Sequence, residues 1–332
     1  MKKKVLIYSA KNFEIPFLKA ANRQNHQVVF TSERLTSKTA QIAIGFEIVS
    51  IFSADDASPL VLEKLKDFGV RYITLRSAGH DNINIKVAKK LKLKVANAPG
   101  YSPNAISEHA IALLLALNRK ICTAVGQVKR RNFTLDALVG FDVQGKTAGV
   151  IGTGKIGSVL VKLLSGFECD ILANDLVKST ALEAAYKVRY KSLETLCKEA
   201  DLIFLCLPLT SETHYLIDKK LLAFMKPEVV LINVARGAIV NTREVLQALD
   251  LGKIGGYATD VYEKESGIFF YDHSDAEIKD TLLLELLQHP KTIVTPHQAF
   301  VTKEALTNIA KTTFYNIDAW NKQKTPVTSL TE

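Results

Sequence analysis

An arginine, a glutamate and a histidine each follow a predicted buried strand in the C-terminal half of the sequence. These are Arg236, Glu265 and His297, and the strands predicted before them cover residues 229–233, 257–260 and 292–295. Open parallel sheets bind their ligands at the carboxyl ends of the strands. We therefore expect the three side chains to lie at one edge of a sheet.

These three residue types fit the reduction of a small 2-keto acid. The planar guanidinium of Arg236 matches a carboxylate through two parallel hydrogen bonds, which a lysine cannot supply. His297 can protonate the carbonyl oxygen near neutral pH, and Glu265 can favour the charged imidazole and fix its orientation. Each residue alone also fits an ordinary structural role, but their shared placement favours catalysis.

A glycine-rich turn joins the predicted strand Thr147–Ile151 to a helix predicted over Ser158–Leu164. In this G-x-G-x-x-G pattern, Gly152 permits a tight turn, Gly154 lets the backbone approach a pyrophosphate, and Gly157 lets helix and strand pack closely. The helix N-terminus then offers free amides to the phosphates. The pattern predicts a dinucleotide site.

An acidic residue at the end of the next predicted strand indicates which dinucleotide binds. Asp175 lies 18 residues after Gly157. Its carboxylate can accept hydrogen bonds from the ribose hydroxyls and would repel a 2′-phosphate, so NAD is favoured over NADP.

Short apolar runs alternate with helical patterns along the whole chain, which predicts an α/β fold with two Rossmann-like, doubly wound parallel sheets and an active-site cleft between the domains. The predicted strands of the first sheet cover residues 5–8, 27–30, 47–52, 72–75 and 94–96, and those of the second cover 147–151, 170–173, 187–190, 202–207, 229–233, 257–260 and 292–295. Helix 59–68 should bury Leu60, Val61, Leu65 and Phe68. The amphipathic helix predicted over 303–320 could join either unit.

The composition is that of an ordinary globular protein, with 332 residues, 47% hydrophobic and 23% charged. A chain beyond roughly 250–300 residues usually splits into two domains.

The net charge is +9. The basic residues are scattered among acidic ones, apart from the clusters 2–4 and 129–131, and this distribution argues against a nucleic-acid-binding protein. No apolar run approaches the ~20 residues of a membrane span. The cysteines, without C-x-x-C spacing, should be reduced core residues of a cytoplasmic protein.

Six segments, three of which contain residues discussed above, give the sequence a resemblance to the D-2-hydroxyacid dehydrogenases, and within this family most to the fermentative D-lactate dehydrogenases. The segments are Leu75–Gly79, Tyr101–His109, Val150–Gly157, Asn233–Gly237, Asp260–Glu263 and Thr295–Phe300. The resemblance covers nearly the whole chain, and the segment Gly267–His273 is similar to a loop of the D-lactate enzymes.

The resemblance implies the roles argued above for the catalytic residues and adds further site residues. It implies that the amides around Ala78 and Gly79 hold the substrate carboxylate, that Tyr101 closes over the substrate and that Phe300 limits its side chain. The residues implied to line the NAD site, besides the glycines, are Lys155, Ile156, Asp175, Leu207, Pro208, Thr213, Val234, Ala235 and Asp260.

The same resemblance implies a discontinuous substrate-binding domain over residues 1–101 plus 299–332 and an NAD-binding domain over 102–298, with homodimers formed through the NAD domains. It also implies the D configuration of the product. Two alternatives stay open, namely a dehydrogenase for a larger 2-hydroxy acid and a non-enzymatic NAD-sensing scaffold like certain corepressors. The dispersed histidines form no metal-binding motif, so no metal is expected.

Overall fold

The protein, described as a computed structural model over residues 2–331, divides into two compact units. Unit 1 contains the chain up to Ser102 and again from Val301 onwards, and unit 2 contains Pro103–Phe300. Each unit is built on one parallel sheet with helices. The predicted α/β class with two parallel sheets is confirmed.

Unit 1 contains a sheet of five parallel strands in the order β2-β1-β3-β4-β5. The strands are β1 (Lys4–Ile7), β2 (Gln27–Phe30), β3 (Ile48–Ile51), β4 (Tyr72–Leu75) and β5 (Lys94–Ala96). All four residues of the central β3 are buried. Strands covered on both faces are expected to be apolar and rich in β-branched residues, and β3 fits this expectation at every position except the buried Ser50.

The helices of unit 1 are α1 (Ile15–Asn22), α2 (Pro59–Asp67), α3 (Ile85–Lys90) and the last helix of the chain, α12 (Lys303–Asn321). The sequence pattern left α12 free to join either unit, and the structure packs it in unit 1 against α1 and β4. Its Phe314 and Ile317 share a buried cluster with Val5 and Ile7 of β1. Long-range apolar burial, which periodicity cannot show, fixes the position of this helix.

The predicted buried stripe of α2 is wrong at Leu60 and holds only in part at Phe68, which packs against the core of the unit. Leu60 is 55% exposed and Phe68 is only partly buried, whereas Leu62, which the stripe omitted, is fully buried. The apolar run at the start of this helix allows more than one stripe at the helical period. Packing on the sheet selects the face that carries Val61, Leu62 and Leu65.

Unit 2 contains seven parallel strands in the order β12-β11-β10-β9-β6-β7-β8. They are β6 (Thr147–Ile151), β7 (Asp170–Asn174), β8 (Arg189–Tyr190), β9 (Leu202–Leu205), β10 (Val230–Asn233), β11 (Gly256–Thr259) and β12 (Thr292–Val294). The strand order reverses between β6 and β9, which makes this the topological switch point where such sheets bind ligands. β8 is shorter than predicted because Lys187 adopts a left-handed conformation (φ 55°) as the cap of the preceding helix.

The helices of unit 2 are α4 (Pro103–Asn118), α5 (Ile121–Lys129), α6 (Lys155–Gly166), α7 (Thr180–Tyr186), α8 (Leu193–Glu199), α9 (Lys219–Leu222), α10 (Thr242–Asp250) and α11 (Thr281–Gln288). Within residues 2–331 no single helix is long and apolar enough to cross a membrane, although α4 and α5, which meet at a bend of 57°, pass the same length and composition test together. Most of one face of α4 is buried, and it packs against α6.

The expectation that the cysteines are core residues holds fully for one of them. Cys197 is buried, Cys169 and Cys206 are partly buried, and Cys122 is exposed. Cys122 lies on α5, which has no buried residue. The apolar run around Cys122 therefore marks an exposed helix face and not a core segment.

Candidate active site

The ends of the neighbouring strands β10, β11 and β12 are tied together by backbone hydrogen bonds. The Asp260 amide donates to the carbonyl of Asn233 (2.9 Å), and the Thr295 amide donates to the carbonyl of Thr259 (2.9 Å). Because all three strands are parallel, the segments that follow them start at the same edge of the sheet. Arg236, Glu265 and His297 all lie on these segments.

His297 and Glu265 form a direct side-chain pair. The Nδ1 atom of His297 lies 2.8 Å from Oε2 of Glu265, and the two side chains are 19% and 21% exposed. The other oxygen of Glu265 accepts the backbone N–H of Tyr262 (2.9 Å). The carboxylate is therefore oriented by the loop and holds the ring, leaving Nε2 as the imidazole nitrogen that can act on a substrate.

The turn that carries His297 is organised by Asp260. His297 has a left-handed backbone (φ 54°), a conformation that costs energy for a residue other than glycine. Its N–H donates to the carbonyl of Asp260 (2.7 Å), while the Asp260 carboxylate accepts the amides of Gln298 and Ala299 (2.8 Å each). Asp260 is 1% exposed, and its carboxylate works here as an internal anchor for the turn.

Two residues without a role in the sequence reasoning extend this anchor. The Thr295 hydroxyl donates to the Asp260 carboxylate (2.5 Å), and Nε2 of His109 lies 3.0 Å from the Thr295 hydroxyl and 3.3 Å from Asp260. The sequence offers two signals for His109, which are its place in the segment Tyr101–His109 that carries the resemblance and its position on the apolar helix α4. The contact itself depends on a partner 186 residues away, which sequence spacing does not reveal.

Arg236 follows β10 and stands beside the loop that follows β11. Its Nη1 donates to the carbonyl of Ala235 (2.8 Å), and the Asn233 side chain donates to the Arg236 carbonyl (2.9 Å). A β-carbon on Gly237 would overlap the backbone of Tyr262. The glycine after the arginine thus allows the two loops to touch, which places Arg236 near the loop that bears Glu265.

Two phenylalanine rings flank the imidazole of His297. The ring centroid of Phe270 lies 5.6 Å from that of His297, and that of Phe300 lies 6.3 Å away in an edge-on arrangement. Phe300 is buried. The imidazole ring is therefore bordered by apolar surface.

The glycine turn after β6 has the shape that a dinucleotide needs. Gly152 has φ +91°, and a β-carbon there would lie 2.6 Å from the carbonyl oxygen of Cys206, which follows β9. A β-carbon on Gly157 would overlap the backbone of Gly152, whereas nothing lies within 4 Å of the β-carbon position on Gly154. The turn is closed on the sheet side and open at Gly154, where a pyrophosphate must approach.

The first turn of α6 and Asp175 complete this arrangement. No side chain caps the N-terminus of α6 at Gly154, so the helix end can bind an anion. Asp175 accepts hydrogen bonds from the Thr153 amide (2.5 Å) and the Val177 amide (3.1 Å). Burial alone would raise the pKa of the Asp175 carboxyl, but these hydrogen bonds outweigh burial and lower its pKa. Asp175 is thus an anion at neutral pH, suited to ribose hydroxyls and not to a 2′-phosphate.

The remaining residues predicted to line the NAD site lie at the same edge of the sheet in unit 2. Lys155 and Ile156 begin α6, and the Ile156 carbonyl accepts the Ser107 hydroxyl of α4 (2.9 Å). The residues Leu207, Pro208 and Thr213 follow β9, and Val234 and Ala235 follow β10. All of them therefore lie on segments that follow β6, β9 or β10, and their contacts with a cofactor stay predictions.

Ala78, Gly79 and Tyr101 belong to unit 1. The side chain of Asn97 donates to the Ala78 carbonyl (2.7 Å), and the Ser77 hydroxyl donates to the Gly79 carbonyl (2.7 Å). These two bonds fix the turn after β4. The carbonyl of Tyr101 accepts a hydrogen bond from the α12 residue Asn308 (2.8 Å).

No group of three or more His, Cys, Asp or Glu side chains within residues 2–331 is arranged to hold a metal ion.

Known proteins share both the sequence and the architecture of this chain. The family described as "D-isomer specific 2-hydroxyacid dehydrogenase, NAD binding domain" matches residues 111–299. The D-lactate dehydrogenase of Escherichia coli is 42% identical over 97% of this chain and 98% of its own length.

Solved structures agree with this match. The apo structure of the Escherichia coli D-lactate dehydrogenase has a TM-score of 0.89 at 39% identity and covers 98% of this chain and 99% of that one. The D-lactate dehydrogenase of Aquifex aeolicus, solved with NAD and lactic acid, has a TM-score of 0.87 at 31% identity and covers 96% of both chains.

Taken with the glycine turn at the switch point, these matches define an NAD-dependent dehydrogenase built on two parallel α/β sheets. The chain belongs to the D-isomer specific 2-hydroxyacid dehydrogenase family. The resemblance inferred from the sequence motifs is confirmed, and a small 2-hydroxy or 2-keto acid is the substrate class of the family.

Proposed function

We propose that this protein is a D-lactate dehydrogenase that reduces pyruvate to D-lactate with NADH. The observation that carries the proposal is the 2.8 Å pair of His297 and Glu265 on the sheet edge that also bears Arg236. The D-lactate dehydrogenase of Escherichia coli, 42% identical over nearly the whole chain, supports the choice of substrate.

In the proposed reaction His297 supplies the proton. When bound, NADH supplies the hydride that goes to the keto carbon. The carbonyl oxygen takes a proton from Nε2 of His297, while Nδ1 stays hydrogen-bonded to Glu265, whose charge stabilises the imidazolium before the transfer. Oxidation of the hydroxy acid reverses both transfers, so that His297 then accepts the proton.

We assign substrate binding to five residues, namely Ala78, Gly79, Tyr101, Arg236 and Phe300. Arg236 holds the carboxylate with its guanidinium, and the amides of Ala78 and Gly79 bind the same group. Tyr101 covers the substrate, and Phe300 limits the length of its side chain. The turn after β4 is fixed by two hydrogen bonds, which supports the proposal that the amides of Ala78 and Gly79 bind the substrate carboxylate.

We assign residues 1–101 plus 299–332 to substrate binding and residues 102–298 to NAD binding. The four cysteines are all free thiols, which fits the reducing cytoplasm, where we place the enzyme.

We also propose a homodimer formed through the NAD-binding domains. Helix α5 has no buried residue, yet it carries the exposed Ile121, Val125 and Val128 on one face. The segment that follows adds further exposed apolar side chains, namely Phe133, Leu135 and Val139. A patch of this kind is typical of a protein interface. Light scattering should give twice the chain mass of 36.6 kDa, and a monomer at micromolar concentration would contradict the dimer.

Pyruvate is preferred over larger acids in this proposal because Phe270 and Phe300 border the His297 ring. The alternative of a non-enzymatic NAD-sensing scaffold is not favoured, since the Glu265–His297 pair has the geometry of a proton donor with its orienting base.

Steady-state NADH oxidation with pyruvate, 2-ketobutyrate, phenylpyruvate and hydroxypyruvate tests the proposal, followed by chiral analysis of the product. We expect the highest kcat/KM for pyruvate and a product of D configuration. A higher kcat/KM for phenylpyruvate would assign the enzyme to larger acids. A folded protein that binds NADH without turning over any of the four acids would support the scaffold.

A further inference from the structure

A cavity of about 560 Å³ lies in unit 1 between α1 and α12. Phe17 and Ala21 line it from α1, and Phe314 and Tyr315 line it from α12. Small-molecule sites typically occupy ~300–1,000 Å³, so the cavity has the size of a metabolite site. None of the residues assigned to the proposed reaction lines it.

The rim of this cavity is strongly basic. Four cationic side chains line it, namely Arg23, Lys311, Lys322 and Lys324, against the single carboxylate of Asp318. Among residues 2–331 none of the four cations has a carboxylate within 4.0 Å. The cluster thus keeps several positive charges close together without neutralising them.

The one acidic residue of the rim is engaged elsewhere. The Oδ1 atom of Asp318 lies 2.9 Å from Nε2 of His26, which is buried. The Nδ1 atom of His26 accepts the backbone N–H of Lys3 (3.3 Å), so Nε2 carries the proton that is donated to Asp318. The Asp318 carboxylate is therefore held by His26 rather than by the lysines.

Ordinary helix chemistry accounts for only part of the basic cluster. Arg23 and Lys322 directly follow the C-terminal ends of α1 and α12, where the helix dipole favours cations. Lys311 lies ten residues before the end of α12, beyond the last turn, to which that effect is confined. The helix dipole therefore does not account for Lys311, the third cation of the cluster.

We propose that this cavity binds a small organic polyanion, a molecule that carries two or more phosphate or carboxylate groups. Arg23 and Lys311 contact its anionic groups, and the rings of Phe17 and Tyr315 face its carbon skeleton. Charge-assisted hydrogen bonds of arginine and lysine to phosphate and carboxylate are the strongest available for such a ligand. Binding weakens as salt rises, because exposed charges are screened.

Isothermal titration calorimetry of the full chain tests this site with two probes, inorganic pyrophosphate and citrate, each at an ionic strength matched with sodium chloride. The double variant Arg23→Gln/Lys311→Gln removes two cations from the rim. The matched control, Lys89→Gln/Lys90→Gln, removes two exposed lysines of α3 in the same unit. Thermal melts of both variants establish that they are folded.

We expect the unmodified protein to bind at least one probe at one saturable site per chain. The double variant should bind that probe at least about tenfold more weakly. The control variant should bind it with an affinity within about twofold of the unmodified protein. Preference for pyrophosphate would identify phosphate groups as the ligand chemistry, and preference for citrate would identify carboxylates. Absence of saturable binding by both probes would overturn the proposal, as would equal binding by the two variants. Neither residue belongs to the proposed catalytic set, so this outcome leaves the proposed reaction unaffected.

Discussion

The amide of His297 donates to the carbonyl of Asp260 at 2.7 Å, and this bond connects the end of β11 to the turn after β12. The same aspartate binds the next two amides through its carboxylate. The position of the imidazole is therefore set by a buried anchor on one side of the backbone and by Glu265 on the ring.

Replacing Glu265 with glutamine should lower kcat for pyruvate reduction by at least about tenfold. Both carboxylate oxygens of Glu265 are engaged, one by Nδ1 of His297 and the other by the Tyr262 amide, and the NH2 group of a glutamine cannot accept a hydrogen bond from either. Steady-state rates at saturating pyruvate and NADH measure the effect. The substitution Glu277→Gln, at an exposed position of the same unit, should leave kcat unchanged. A near-native kcat for the Glu265 variant would count against the pairing.

The substitution Arg236→Lys should raise KM for pyruvate by about 10- to 100-fold, because an ammonium group cannot form the two parallel hydrogen bonds of a guanidinium. KM for NADH should stay close to its original value. Arg243→Lys on α10, where the side chain is exposed, provides the control. A near-native KM for pyruvate in the Arg236 variant would refute the assignment of Arg236 to the substrate carboxylate.

Several strands could be predicted because their signal is local. The strands β2, β4, β5 and β6 have the predicted bounds, since each is a short, mostly apolar run. The glycine turn was equally visible, because the positive φ of Gly152 is a requirement that glycine satisfies most easily.

Features that depend on distant contacts could not be predicted in this way. The membership of α12 in unit 1 and the burial of Leu62 in place of Leu60 follow from packing on a sheet assembled from remote segments. The anchoring of the His297 turn by Asp260 and His109 joins residues up to 188 positions apart. Residue types and spacing identify candidates for such a site, but they do not give its hydrogen bonds.

Truncating Phe270 should widen the substrate range. Its ring lies 5.6 Å from that of His297, so Phe270→Ala should raise the ratio of kcat/KM for phenylpyruvate to that for pyruvate by about tenfold or more. Tyr271→Ala changes the adjacent aromatic residue, which is 40% exposed, and should leave the ratio unaltered. If both variants keep the original ratio, Phe270 does not border the substrate side chain.

Thiol reactivity should be confined to one cysteine at pH 8. Burial raises the pKa of Cys169 to about 11 and the pKa of Cys197 and Cys206 to about 12. Because the thiolate is the reactive form, these three remain protonated and unreactive at pH 8, whereas Cys122 is exposed. Titration with a chromogenic disulfide should detect one fast thiol per chain, and Cys122→Ser should remove it. A fast thiol that persists in this variant would contradict the burial of the others.

The most direct test of the proposed chemistry is kcat for pyruvate reduction after His297→Gln, measured beside NADH binding by fluorescence titration. Glutamine keeps hydrogen-bonding capacity but cannot donate the proton. We predict a fall in kcat of about 10²- to 10⁴-fold with the NADH affinity of the unmodified protein. A variant that binds NADH normally and keeps kcat within tenfold would show that His297 is not the proton donor.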